Sequence, residues 1–152
     1  MAATTAFPTS LKGELPQAMH NFTTTTGNVF KVALIKVSMA GTYGAGSTNY
    51  SNITGNSDEV TGTGYTAGGY AWTAAQNTTP ATSGTGAFWS WSTNPSWTTA
   101  SFSTTACMIY NSSSSNKAVY VGDFGGTQTV SSGTFTIVLP TNAVSTSILQ
   151  IN

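Results

Sequence analysis

Ala106-Cys107-Met108-Ile109-Tyr110-Asn111-Ser112-Ser113-Ser114-Ser115-Asn116-Lys117-Ala118-Val119-Tyr120-Val121 is the stretch that decides how this chain folds. Two short apolar runs, at 106–110 and 118–121, flank the polar loop 111–116. Turn-forming Asn and Ser between two such runs predict a β-hairpin.

Working outward, the same grammar repeats. Downstream, Gly125-Gly126 marks a turn, and Gly133-Thr134-Phe135-Thr136-Ile137-Val138-Leu139-Pro140 alternates with Phe135, Ile137 and Leu139 facing inward. Residues 148–151 supply a closing strand. Upstream, Val29-Phe30-Lys31-Val32-Ala33-Leu34-Ile35-Lys36-Val37 is nearly continuously apolar and predicts a central strand covered on both faces. Lys31 and Lys36 have opposite parity in it, so a bulge or a strand end must separate them. Gly64-Tyr65 through Gly68-Gly69 marks a turn before a short strand with Tyr70 and Trp72 on one face. Phe88 to Trp91 places Trp89 and Trp91 on one face, Asn94-Pro95 breaks the run, and Trp97 to Phe102 resumes it. About eight short strands between turns predict an all-β fold, a single-domain β-sandwich or jelly-roll-like unit over residues 11–152.

The N-terminus reads differently. Residues 1–10 are small and polar without periodicity, which predicts an extended arm, unordered in a free monomer. Leu11, Leu15 and Met19 follow at helical spacing with Ser10 as a candidate N-cap, but Pro16 cuts the pattern and permits only a short or broken turn.

At 152 residues the chain can bury about two-thirds of its unfolded surface, enough for a core without disulfides. Only 5% of residues are charged, against roughly 25% in an average soluble domain. There is no Arg, and Ser and Thr make up roughly a third of the chain. Near-zero net charge weakens repulsion between copies and favours life inside an assembly. The same balance argues against nucleic acid, whose binding rests on many Lys and Arg contacts to phosphate. No apolar run reaches the ~18 residues of a membrane span, and the N-terminus lacks the basic and apolar regions of a signal peptide.

The inventory for chemistry is short. Glu14, Asp58, Glu59 and Asp123 are the carboxylates, and nothing in their spacing suggests an acid/base pair. His20 is the single imidazole and Cys107 the single thiol, which together cannot build a zinc site within one chain. Cys107 sits in an apolar run and reads as a small core residue. Gly62-Thr63-Gly64-Tyr65-Thr66-Ala67 fits the loose dinucleotide fingerprint, but Gly68-Gly69 follows and no helix pattern appears, so it reads as a turn. Five Asn-x-Ser/Thr sequons are close to what chance gives at this composition. No catalytic residue, cofactor or metal is expected. Trp72, Trp89, Trp91 and Trp97 have three readings: core, subunit interface, or a stacking platform for sugar rings.

Several blocks resemble a widespread group of small virion proteins of tailed bacteriophages. They are Leu15 to Phe22 with its His20-Asn21-Phe22, then Phe30-Lys31-Val32-Ala33-Leu34, then Asp58-Glu59-Val60-Thr61-Gly62-Thr63-Gly64-Tyr65-Thr66-Ala67-Gly68-Gly69. Met108-Ile109-Tyr110-Asn111, Asp123-Phe124-Gly125 and Gly133-Thr134-Phe135-Thr136-Ile137 continue the series, collinear over about residues 11–151. The family often carries Arg where Ala106-Cys107 and Asn116-Lys117 stand here. The resemblance implies a non-enzymatic capsid cement, or decoration, protein on the outer surface of the capsid. Its expected partners are the major capsid protein and copies of itself, as a dimer or trimer on a symmetry axis. Phe7, Pro8, Trp89, Trp91 and Trp97 are the expected interface residues. A tail or fibre module that binds host glycans through the Trp cluster is the alternative.

Overall fold

The computed structural model describes residues 1–151. Seven strands form two antiparallel sheets: β1 (Phe30–Ile35), β2 (Tyr70–Trp72), β3 (Ala81–Ser83), β4 (Gly86–Trp89), β5 (Ser96–Asn111), β6 (Lys117–Thr136) and β7 (Leu149–Ile151). The larger sheet runs β2-β1-β5-β6 and the smaller β3-β4-β7. Two short helices, α1 (Thr9–Glu14) and α2 (Ser51–Gly55), and a 3-10 turn at Ala74–Gln76 complete the secondary structure.

The all-β expectation holds, and the 106–121 hairpin is its centre: β5 pairs with β6 from Asn111↔Lys117 outward. The expected run of short strands is replaced in part by two long ones. Residues 96–111 form one strand, and β6 continues through Gly125-Gly126, where a turn was expected. Those glycines sit in a bulge, where Thr104 pairs with Gln128 but Ala106 with Asp123. Gly125 takes φ +74°, so the chain kinks without leaving its partner.

β1 is covered on both faces, as its nearly continuous apolar run predicts. Phe30, Val32 and Leu34 enter one core with Cys107, Ile109 and Val119, while Ala33 and Ile35 enter a second with Ala106, Met108, Tyr110, Ala118 and Val121. The first core is roofed by Trp89 of β4 and Leu149 of β7; the second is closed by Tyr43 and by Ile53 of α2. The parity of the two lysines resolves as a strand end: β1 stops at Ile35, and Lys36 donates to the Ser57 carbonyl.

Turns 62–69 explain the false dinucleotide fingerprint. A Cβ on Gly69, at φ +73°, would lie 1.9 Å from the Val32 carbonyl oxygen. The glycine lets this turn press against β1, and strand β2 follows it directly.

The N-terminal segment is not free. Ala3 bridges Tyr43 in parallel and Ala6 bridges Val121 in antiparallel, so the expected arm lies on the body of its own chain. Helix α1 begins at Thr9, inside the expected arm, and Pro8 precedes it without a side-chain cap. A proline before the first turn fits because no backbone N–H is needed there.

Candidate functional site

Glu14, Asp58 and Glu59, three of the four carboxylates, each centre a cluster of donors. In the first, Glu14 at the end of α1 accepts from Lys117 Nζ at 2.8 Å and lies 2.8 Å from His20 Nε2. Asn111 fixes the tautomer. Its Oδ1 accepts from the Ser113 N–H, so its amide nitrogen donates to His20 Nδ1 and to Asn28 Oδ1. His20 therefore carries its proton on Nε2 and donates it to Glu14. Burial opposes the charge on Glu14, but the hydrogen bonds from Lys117 and His20 outweigh it and hold the carboxyl below its ordinary range.

Asp58 forms the second cluster, fully buried among donors. It accepts from the backbone N–H groups of Ala40 and Gly41 at 2.7–2.9 Å and from the Tyr43 hydroxyl, with Lys36 Nζ 3.3 Å away. Burial again pushes the other way, yet these donors bring its pKa to about 2. They hold the loop at 40–43 against the second core.

Glu59 makes the third. Its carboxylate accepts from the hydroxyls of Tyr50 and Tyr65 and from the Gly68 N–H. Tyr65 accepts in turn from the Leu34 N–H, and Tyr110 donates to the Gly68 carbonyl while stacking on Tyr50 at 4.4 Å. Burial and then the Glu59 carboxylate raise the pKa values of Tyr50 and Tyr65. The neighbours Asp58 and Glu59 thus serve separate partner sets, as opposite-facing side chains must.

Each of these clusters ties separate backbone segments of the chain together. Both His20 nitrogens are engaged, so taking up a proton from a nucleophile would first break the cluster. Among the described residues no three His, Cys, Asp or Glu side chains are grouped to hold a metal. Burial pushes the Cys107 thiol up to about 12, which suppresses the thiolate. Asp123 is exposed and accepts from the Gly125 N–H across the bulge. A cavity of about 360 Å³ lies beside Trp72, Cys107, Ile109, Tyr120, Ile137 and Ile148, with Asp123 the one carboxylate side chain among the described residues that line it.

The aromatic residues expected at an interface are mostly elsewhere. Trp89, Trp91 and Trp97, like Trp72, are at most 6% exposed and belong to the first core. Trp72 stacks on Trp91 at 4.4 Å, Trp91 meets Trp89 edge-on at 4.5 Å, and Trp97 lies 5.9 Å from Phe135. The indole N–H of Trp72 donates to the Thr93 carbonyl, and that of Trp89 to the Phe22 and Thr78 carbonyls. For Trp72 and Trp89 a large ring area comes with a satisfied polar edge, whereas the Trp91 indole N–H is buried without a partner among the described residues. Trp89, Trp91 and Trp97, expected at an interface, thus lie inside the core of this chain, as does Trp72. Pro8 is buried at the root of α1, and Phe7 is half-buried against Tyr120 at 5.4 Å. Both are used within the chain.

Sequence reasoning considered Glu14 and His20 apart and missed the tyrosine shell of Glu59. The scarcity of charge was the available signal, because a side chain that solubility does not require is retained where a fold needs it paired. No family model matches this chain, and no curated protein or solved structure is significantly similar to it.

Proposed function

We propose that the chain is a non-catalytic virion structural protein, a β-sandwich subunit that cements the outer surface of a phage capsid. Its partners on this reading are the major capsid protein and further copies of itself. The observation that carries it is the outer half of the β5–β6 hairpin. From Phe124 to Ile151 the chain has no charged residue, and among the described residues β6 has no strand partner on its outer side beyond Asp123. Ser103 and Thr129, and likewise Ser96 and Thr136, pair their hydroxyls across the two strands. The surface offers backbone and hydroxyl groups, and so can be buried against a shell without stranding an ion. Its bulges bend the edge and discourage indiscriminate stacking. The collinear blocks that resemble tailed-phage virion proteins support the same reading.

A cement protein binds the expanded shell and not the dissociated subunits, so its binding free energy adds to shell stability by linkage. The test is co-sedimentation of the purified chain with expanded shells, followed by electron cryo-microscopy of the virion. Copies in fixed ratio to capsid subunits, and a raised shell disruption temperature, are expected. Density confined to the tail would overturn the reading.

A further inference from the structure

We propose that the slot holding residues 2–6 takes the same segment from a second copy of this chain, so that two copies join by exchanging N-terminal arms. The proposal rests on the assembly reading above for a high local concentration of copies, and on the geometry of the arm for everything else. The segment is held almost entirely by its backbone. Thr4 N donates to the Tyr43 carbonyl at 2.9 Å and Tyr43 N to the Ala2 carbonyl at 3.0 Å. Ala6 and Val121 exchange both of their backbone bonds at 2.9–3.0 Å. The Asp123 N–H adds a bond to Thr5 Oγ1 at 3.0 Å.

The arm therefore meets the body at two isolated bridges, one to Tyr43 and one to Val121 of β6, ahead of the bulge at 124–127. Its side chains contribute little. Ala2, Thr4 and Thr5 are exposed, and Ala3 and Ala6 are only partly buried. A contact made by backbone groups is the same whichever copy supplies it, so exchange breaks and remakes equal bonds. The root, by contrast, is fixed. Pro8 is buried, Leu11 is 1% exposed, and Thr9 N donates to the Ala45 carbonyl. Phe7 stands between the two as the hinge, and the following proline keeps it extended. The arm carries no charged side chain and the chain has zero formal net charge, so nothing repels an incoming copy. A second copy is the fitting occupant because the slot already holds this segment in its register.

Two full-length variants test this, Ala6→Cys in one and Val121→Cys in the other, mixed at high concentration, oxidised under native conditions and alkylated. A hydrogen-bonded antiparallel pair sits within reach of a disulfide. Cys107 is left in place because it is buried. The expected result is a covalent heterodimer linked 6–121, identified by mass spectrometry and lost when residue 6 is paired with Thr98→Cys, an exposed position on the outer hairpin. The double variant Ala6→Cys/Val121→Cys in one chain should close on itself when dilute and then give no heterodimer. A double variant that links within one chain while the mixture yields only monomers overturns arm exchange, as does failure to link in either setting. Neither result bears on shell binding, which co-sedimentation reads separately.

Discussion

Glu14 and Lys117 meet at 2.8 Å although 103 positions separate them in sequence. The contact ties the end of α1 to the first residue of β6, and His20 and Asn111 extend it to the end of β5. Glu14 is buried while Lys117 is about one-third exposed, so the two partners are not equivalent. Glu14→Gln leaves His20 Nε2–H and the Lys117 ammonium without their acceptor charge, and should cost about 1–3 kcal/mol. Lys117→Met should cost less, about 1 kcal/mol, because water screens its end of the pair. Urea unfolding of both single variants and of the double variant measures the coupling, which should be smaller than the Glu14→Gln effect because His20 remains.

Asp58 makes the fold sensitive to acid. Its folded pKa of about 2 lies below the ~3.9 of an unfolded Asp, so its stabilisation is complete above about pH 4. That contribution is lost as pH falls through 4 towards 2, and the lowered Glu14 acts in the same direction. The urea midpoint should fall over this window in the parent protein. In Asp58→Asn it should start lower at neutral pH, by about 2–4 kcal/mol of stability, and decline less on acidification.

The tyrosines set the opposite limit. Burial and then the Asp58 hydrogen bond push Tyr43 up to about 12, and Tyr50, Tyr65, Tyr110 and Tyr120 are also raised, burial being the largest cause in each. A raised phenol favours the folded state fully below the unfolded value near 10, and that advantage disappears as pH rises through the folded value. Tyrosinate absorbance from these five rings should therefore appear together with loss of far-ultraviolet structure as pH rises above about 10, in one cooperative step. A Tyr43→Phe variant should shift that step only slightly at alkaline pH but should weaken the protein at neutral pH, because Asp58 loses a donor.

Much of this architecture was legible in the sequence, for identifiable reasons. The polar loop at 111–116 is a local signal, and the hairpin it predicts is present; the alternation at 133–139 is strand only as far as Thr136, where β6 ends. The nearly continuous apolar run at 29–37 marked a strand buried on two faces, which the structure places at Phe30–Ile35. The path of residues 1–8 was not legible, because its Ala and Thr side chains say nothing about a docking fixed by backbone bonds to Tyr43 and Val121. Nor was the position of Trp89 and Trp91. Alternation places both rings on one face but does not say whether that face meets solvent or, as here, Phe30 and Trp72. The ion clusters were hidden for the same reason, since Glu14 and Lys117 become neighbours only after β6 has formed.

Two glycines separate backbone necessity from mere composition. Gly69 has φ +73° and its added Cβ would lie 1.9 Å from the Val32 carbonyl oxygen, with the Ala33 Cα 2.9 Å away. Both neighbours are backbone of the central strand and cannot yield without disturbing the β1–β2 pairing. Gly69→Ala should therefore cost about 3 kcal/mol or more, the sum of a left-handed conformation and a steric shift in β1. Gly13 lies in α1 with nothing within 4 Å of its added Cβ, and its φ is not positive. Gly13→Ala should stabilise the protein by about 0.5–1 kcal/mol, because alanine loses less freedom than glycine on entering a helix. Thermal unfolding of the two variants side by side checks both signs, and a destabilising Gly13→Ala would mean that α1 does not hold its helical form in solution.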